Sequence, residues 1–234
     1  MRILVVDQCS GSKDVPDNTT LFQAEDIDER SRESLLEQEG VPGRKARDLY
    51  IGRQQQCINS AVDSLRADGH AVDRLFISAG FGLVDEETRL PPYEVTFAEM
   101  TVSEIRERAD CLRLTKDLVE HIQSVDDYDI VFFSLGSDYY RALGLDTVLA
   151  EIAETTFVVV FNQEELAEGD DHIVSIPART AEAKAHGTIV VSLKGKYLEY
   201  FAEHVSEGKS VKSVDDLREY CTTETTSQQG LDQF

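Results

Sequence analysis

The sequence predicts an α/β fold of three layers, with a mostly parallel central sheet and helices on both faces. Short, continuous apolar runs rich in β-branched residues, such as "RILVVD" at residues 2–7, are typical of strands that are buried on both faces. Longer segments with apolar residues at helical spacing separate these runs. Alternation of strands and helices favours a parallel sheet, because each helical crossover returns the chain to the same edge.

The N-terminal half contains the clearest elements. The first strand precedes a polar stretch with a short helix predicted near "ERSRESLLEQEG", which ends at Gly40. A helix is predicted over residues 46–67, followed by a second buried strand, "RLFISAGFGLV", that runs into a glycine-rich loop. Thr101 or Ser103 caps the next helix, whose apolar stripe extends to Ile122. "YDIVFFSLG" is predicted as a third buried strand and "SDYYRALGL" as a short helix.

In the C-terminal part, "FVVVF" and "TIVVSLK" are predicted as strands, and "KYLEYFAEHV" and "VDDLREYC" as helices. Lys194 and Lys196 then lie at a strand end, where they either contact a phosphate or cap the strand. Residues 1–222 are predicted to form a single domain, and residues 223–234 a polar C-terminal tail.

The chain is strongly acidic. It has 45 Asp and Glu against 23 Lys and Arg, for a formal net charge of -22 that is spread along the whole length. A hydrophobic content of 41% is too high for global disorder. Salt screens the self-repulsion of an acidic, lysine-poor surface, so we expect a cytoplasmic protein of a halophile. The charge also argues against a broad basic face for nucleic acid.

The cysteines and histidines show no metal or disulfide pattern. The four cysteines are widely separated, and Cys57 and Cys111 are predicted to be buried small hydrophobes. The histidines lack H-x-x-x-H spacing, so neither a metal site nor a cofactor is predicted. The absence of a run of about 18 apolar residues predicts no membrane span, and the first residues predict a strand rather than a signal peptide. The oligomeric state stays open.

Three loops follow predicted parallel strands: "DQCSGSK", "SAGFGLVDEETRLPPYE" and "SLGSDYY". Ligands of such sheets bind at the carboxyl ends of the strands. We therefore expect Cys9, Ser78 and Gly136 to lie at one edge of one sheet, with Tyr139 close behind Gly136.

The first loop has the residue types of a ligand-binding turn. Ser10 and Ser12 flank a glycine and offer backbone N–H groups and hydroxyls suited to an anion or to the polar edge of a ring. Lys13 adds a positive charge or a reactive amine, and Cys9 is a candidate nucleophile without a histidine adjacent in sequence. The alternative is an ordinary capped helix start with a surface lysine.

Further candidates come from "GRKARDLYIGR", where Arg47 and Tyr50 lie about one helical turn apart. A guanidinium binds phosphate and a phenol ring stacks on a base. The alternative is that Arg47 pairs with a carboxylate and Tyr50 packs in the core.

The second strand's loop offers close backbone approach at Gly80 and Gly82. The "PPYE" segment then presents Tyr93 and Glu94 beside Ser78. A purely structural loop of this composition is also common.

Taken together, "CSGSK", "ARDLYIG" and "ISAGFGLVDEETRLPPYE" resemble the uncharacterised domain family grouped with the YaaA-like proteins. Members of that family have a loop that contains Cys or Ser and ends in Lys, an A-x-x-L-Y segment, and an S-A-x-x-G-L-[VL] loop closed by P-Y-[DE]. The resemblance covers residues 3–97 and, less completely, "SLGSDYY"; it does not extend beyond Leu145. It implies a fold similar to YaaA-like and uracil-DNA-glycosylase-like α/β proteins.

The resemblance also implies a function, because relatives are linked to nucleobase modification in DNA or RNA and to nucleic-acid binding under oxidative stress. The C-x-x-x-K spacing of Cys9 and Lys13 is similar to a loop in the catalytic domain of archaeosine synthase. There the pattern continues with Pro-Tyr, whereas this chain has Asp14 and Val15.

The leading hypothesis is a nucleobase- or nucleotide-directed enzyme, transferase or glycosylase-like, with its ligand in a local cleft. Lys13 acts as nucleophile or electrostatic catalyst, Glu94 as general acid or base, and Tyr50 or Tyr93 as a stacking platform. The alternative is a non-catalytic nucleic-acid- or nucleotide-binding protein of stress response or defence. A third hypothesis is a small-molecule enzyme unrelated to nucleic acids.

Overall fold

The computed structural model of the chain describes residues 1–225. Its strands are β1 (Arg2–Gln8), β2 (Arg44–Lys45), β3 (Ala71–Ser78), β4 (Gly82–Asp85), β5 (Arg89–Leu90), β6 (Ile130–Phe133), β7 (Phe157–Phe161) and β8 (Ile173–Ile176). Its α-helices are α1 (Ala24–Glu29), α2 (Arg32–Leu36), α3 (Ala46–Leu49), α4 (Arg53–Ala67), α5 (Val102–Cys111), α6 (Leu114–Ser124), α7 (Ser137–Ala142), α8 (Leu145–Leu149), α9 (Thr180–Ala185), α10 (Val190–Ser206) and α11 (Val214–Thr222).

The described strands confirm the three-layer α/β fold with a mostly parallel sheet. Six strands pair in the order β4-β3-β1-β6-β7-β8, and only β4 runs antiparallel to its neighbour. In the centre, Val6 of β1 lies between Leu75 of β3 and Phe133 of β6. The parallel pairing brings the carboxyl ends of β1, β3 and β6 to one edge, called here the carboxyl edge.

Alternation along β1 separates two hydrophobic cores. Leu4 and Val6 belong to the core on the first face of the sheet, which α3 and α5 to α8 cover. Ile3 and Val5 belong to the core on the second face, under α4, α10 and α11. The central strand β1 is therefore buried on both faces, as its unbroken apolar sequence predicts.

One predicted strand is wrong. "TIVVSLK" leads into and begins α10, and the eighth strand of the described chain is "IVSI" at Ile173–Ile176, which the sequence reading missed. The β-branched run favours a strand locally, but Leu193, Tyr197 and Phe201 recur at helical spacing and are buried against the second face. Val191 is 65% exposed, so the run is not a core strand.

Several predicted boundaries also change. The helix predicted over residues 46–67 is interrupted at Tyr50, whose extended backbone pairs with Lys13. The second predicted strand turns back at Gly82, with φ of +75°, to form β4. The helix after Thr101 is two helices, α5 and α6, divided by Arg113 at φ +55°; Thr101 is the N-cap.

The predicted tail lies partly outside the described residues. Its first residues pack on α10, because Tyr200 donates to Glu224 (2.6 Å) and the Thr223 carbonyl lies 3.0 Å from the ring of His204. Residues 226–234 are outside the described range. No helix within residues 1–225 is long and apolar enough to span a membrane.

Candidate functional site

The three predicted loops meet at the carboxyl edge. The backbone N–H of Cys9 donates to the Ile77 carbonyl of β3 at 3.0 Å. The N–H of Gly136, after β6, donates to Oε1 of Gln8 at 2.5 Å. Cys9 Sγ and the hydroxyl of Tyr139 are 3.0 Å apart. The prediction that Cys9, Ser78 and Gly136 share one edge of one sheet is thus confirmed.

Lys13 is held at this edge by its backbone. A β-bridge joins Lys13 to Tyr50, with hydrogen bonds from the N–H of Asp14 to the Leu49 carbonyl (2.8 Å) and from the N–H of Ile51 to the Ser12 carbonyl (3.1 Å). The side chain is half-buried, and its Nζ lies 4.5 Å from the centre of the Tyr93 ring. Within residues 1–225 this ammonium forms no ion pair, so its positive charge is partly desolvated and not neutralised.

Beneath Lys13 lies a chain of three buried hydroxyls, from Ser78, Tyr93 and Tyr50, called here the hydroxyl chain. The Tyr93 oxygen is 2.8 Å from Ser78 Oγ and 2.6 Å from the Tyr50 oxygen. Ser78 Oγ accepts from the N–H groups of Gly80 (3.2 Å) and Phe81 (3.0 Å), so its own proton goes to Tyr93. Whichever tyrosine donates to the other, one phenolic proton then has no acceptor within hydrogen-bond distance among the described residues.

The phenols at this edge are neutral. Burial raises the pKa of Tyr50, Tyr93 and Tyr139 far above 10, and the neighbouring Cys9 adds to the effect. At neutral pH these hydroxyls therefore donate or accept hydrogen bonds, and they do not act as bases.

The packing leaves no room for a base to stack on Tyr50 or Tyr93. Both residues are 0% exposed. The Tyr50 ring lies 5.0 Å from that of Phe76, and the Tyr93 ring meets Phe81 edge-to-face at 5.1 Å. A Cβ on Gly80 would come within 2.9 Å of the Tyr93 ring, so only glycine permits this close approach. The predicted stacking role does not fit this packing. Because Tyr50, Tyr93 and Ser78 are all fully buried, Lys13 is the group at this place that a ligand can reach.

Two predicted site residues point elsewhere. Glu94 is exposed, and along this extended segment its side chain lies opposite that of the buried Tyr93, away from the hydroxyl chain. Arg47 forms a two-oxygen contact with Asp63 (3.0 Å each) and lies 3.9 Å from Glu86, which matches the ion-pair alternative.

Cys9 is 4% exposed and has no base beside it. The side-chain contacts of all five histidines in the described residues lie elsewhere in the fold. A thiolate nucleophile is therefore not prepared here. Among the other cysteines, Cys57 is half-buried, and burial raises its pKa to about 11. Cys111 is exposed, so the prediction that it is buried is wrong.

Beneath the start of α4 lies a charged cluster that the sequence reading missed, formed by Asp7, Arg74, Gln54, Gln55 and Asn59 and called here the Asp7 network. Asp7 and Arg74 are both fully buried and 2.7 Å apart. Asp7 Oδ1 also accepts from Gln54 Nε2 (2.8 Å), Gln55 Nε2 (3.2 Å) and the Gln8 N–H (2.8 Å). Arg74 donates to Asn59 as well, and only its Nε has no partner in the described chain. The sequence contains a sign of this cluster, because Asp7 and Arg74 both occur within apolar strand sequences.

Comparisons with known proteins do not assign the chain to a family. No protein-family model matches the chain, and no curated protein matches it either. The resemblance to the YaaA-like family therefore stays a prediction based on its motifs. Residues 1–225 contain no group of three or more His, Cys, Asp or Glu side chains placed to hold a metal ion.

Proposed function

We propose that the protein is an enzyme that acts on a nucleobase or nucleotide, in the setting of a halophile. The observation that carries the proposal is Lys13, a half-buried ammonium without an ion pair in residues 1–225, in a chain with 45 acidic residues. Its charge is not used by an ion pair within the described fold and stands at the edge of the sheet where ligands of parallel sheets bind, so it is available to a ligand.

The chemistry at this edge suits the edge of a base. The Lys13 ammonium is a donor, and the Ser10–Ser12 loop adds hydroxyls. Base edges present carbonyl oxygens and ring nitrogens as acceptors. Gly11 is exposed and has no atom within 4 Å of its Cβ position, so a ligand can approach the loop. In a partly dry site, Lys13 serves either to stabilise developing negative charge or, once deprotonated, as an amine nucleophile.

A second candidate is a binding protein without catalysis. It is favoured by the state of Cys9 and the tyrosines, because the thiol has no base and the phenols are neutral. As a binding protein, the chain would recognise its ligand through Lys13 and the Ser10–Ser12 loop, and no bond would be broken.

The test is a binding and turnover screen in potassium chloride, using nucleobases, nucleosides, nucleotides and a short oligonucleotide. Calorimetry measures affinity and mass spectrometry detects products. Loss of a charge-assisted contact in Lys13→Ala should weaken affinity or rate by about 10- to 150-fold, equivalent to about 1.5–3 kcal/mol. Lys13→Arg should retain binding, but it abolishes turnover if the amine is the nucleophile, because guanidinium stays protonated. Lys209→Ala, at an exposed lysine beyond α10, is the matched control.

The outcomes separate the hypotheses. Turnover that depends on Lys13 supports the enzyme, and tight binding without turnover supports the binding protein. A ligand bound equally well by Lys13→Ala would remove Lys13 from the site. Absence of binding and turnover with every compound of the screen would refute the proposed function and leave the small-molecule enzyme as the remaining hypothesis.

A further inference from the structure

Three cations at the carboxyl edge lack carboxylate partners. Ion pairs with Asp or Glu occupy more than half of the basic side chains in residues 1–225. Lys13, Arg53 and Lys194 are among the ten that form none within this range. In a chain of net charge -22, unpaired cations gathered at one edge indicate a place for an anion.

Helix packing places Arg53 and Lys194 on neighbouring helices at the same end. Helices α4 and α10 lie side by side and run in the same direction, because a Cβ on Gly195 would touch Gln54 and Cys57 near their starts, while Ser206 contacts Ser64 near their ends. Arg53 is the first residue of α4. Lys194 directly precedes Gly195, so both cations lie near the starts of these helices, at the carboxyl edge.

The start of α4 lacks a side-chain cap from its N-cap residue, Gly52. Ser10 Oγ lies 2.5 Å from the position that a Gly52 Cβ would occupy, so the Ser10–Ser12 loop sits directly against this helix end. N–H groups that point out of a 15-residue helix start favour an anion.

An orphaned buried hydroxyl lies at the same place. Ser134 is 0% exposed and its Oγ has no hydrogen-bond partner within the described residues. Its carbonyl accepts from Gln54 Nε2 at 2.8 Å. Phe132 packs on the second face, so alternation places the Ser134 side chain on that face too, under the start of α4.

Lys194 is itself in an unusual environment. Burial lowers the pKa of its amine, and Asp7 acts in the opposite direction. Asp7 already accepts from Arg74 and three other donors, so it does not neutralise Lys194.

We propose that the carboxyl edge contains an anion subsite that binds a phosphate group, formed by Arg53, Lys194 and the start of α4. The inference rests on the proposed function and narrows it, because the substrate is then a phosphorylated nucleoside or a nucleic-acid phosphate. The base lies toward Lys13, and the phosphate lies toward α4. Phosphate oxygens accept charge-assisted hydrogen bonds from ammonium, guanidinium and helix N–H groups together.

The experiment compares ribonucleoside 5′-monophosphates with the matching nucleosides by calorimetry at fixed ionic strength. The wild-type protein should bind the monophosphate at least about 10-fold more tightly. Lys194→Met and Arg53→Gln should lose this preference and keep their affinity for the nucleoside. Lys194→Arg, which retains the charge, and Lys209→Met, which is remote from the edge, should keep it. If a dinucleoside monophosphate binds as tightly as the mononucleotide, the phosphate that the subsite takes belongs to a nucleic-acid backbone. If it binds more weakly, the subsite takes a terminal phosphate.

Inorganic phosphate separates failure of the subsite from failure of the proposed function. It should raise the melting temperature of the wild type and not that of Lys194→Met. Equal affinity for nucleoside and monophosphate would overturn the subsite and leave the proposed function standing. Stabilisation by phosphate through Lys194, with no binding of any nucleoside or nucleotide, would support the subsite and refute the proposed function. No response to phosphate or to nucleotides would overturn both.

Discussion

The hydroxyl chain includes Ser78 at the end of β3 and the Asp7 network includes Asp7 near the end of the neighbouring β1, yet the two are built differently. The Asp7 network is charged and satisfied: one carboxylate accepts four donors, and the guanidinium of Arg74 neutralises it. The hydroxyl chain is neutral, and it leaves one phenolic proton and the Lys13 charge without partners in the described residues. A satisfied network stabilises the fold, whereas the Lys13 ammonium, half-buried beside an exposed loop, is available to a ligand.

The largest expected effect is on the Asp7 network. Arg74→Met leaves the buried Asp7 carboxylate uncompensated and should lower the free energy of unfolding by about 3–5 kcal/mol. The double variant Asp7→Leu/Arg74→Met should lose less than Arg74→Met alone, because Gln54 and Gln55 retain their carbonyl acceptors at Ser134 and Gln8. Urea unfolding at fixed salt measures both. Additive losses would show that the two charges do not depend on each other.

The second-largest expected effect is on the packing of Gly80 against Tyr93, which holds the hydroxyl chain in place. In Gly80→Ala the new Cβ collides with the Tyr93 ring and with Ile27, at 2.9 and 3.3 Å, and should cost about 1–3 kcal/mol of unfolding free energy. Gly11→Ala, where the Cβ position is open, should stay within about 0.5 kcal/mol. Equal stability of the two variants would mean that Tyr93 is not held against Gly80.

The pH dependence tests the neutral state of the phenols. The pKa of Tyr93 is raised above 10 in the folded state by burial, so the folded protein keeps this proton after the unfolded chain has lost it. The free energy of unfolding is therefore unaffected by Tyr93 below pH 10. Above pH 10 it falls by about 1.4 kcal/mol per pH unit for each such proton. Tyr93→Phe should reduce this slope by one proton in unfolding titrations between about pH 8 and pH 11. An unchanged slope would contradict the burial of an intact phenol.

The smallest expected effect concerns Arg47, which belongs to neither cluster. Its ion pair with Asp63 is partly exposed and screened by solvent, so Arg47→Ala should cost about 1 kcal/mol or less. Ligand affinity, measured by calorimetry, should not change. A loss of about 10-fold or more in affinity would return Arg47 to the site.

The parts of the site that the sequence predicts are those that depend on local pattern. Apolar β-branched runs predict β1, β3, β6 and β7, and the carboxyl-edge rule then places Cys9, Ser78 and Gly136 together. Short loops after strands also identify Lys13 as a presented residue. The same local reasoning fails at "TIVVSLK", where the β-branched start of a helix is mistaken for a strand.

Periodicity and turn residues act between near neighbours, so the sequence predicts β1, β3, β6 and β7 and the edge at which their loops meet. Which side chains find partners depends on the tertiary structure. Asp7 meets Arg74, 67 residues away, and Tyr50 meets Tyr93, 43 residues away. Hydrogen bonds and ion pairs depend on distances of a few ångströms between atoms, and no local pattern specifies such distances across a parallel crossover.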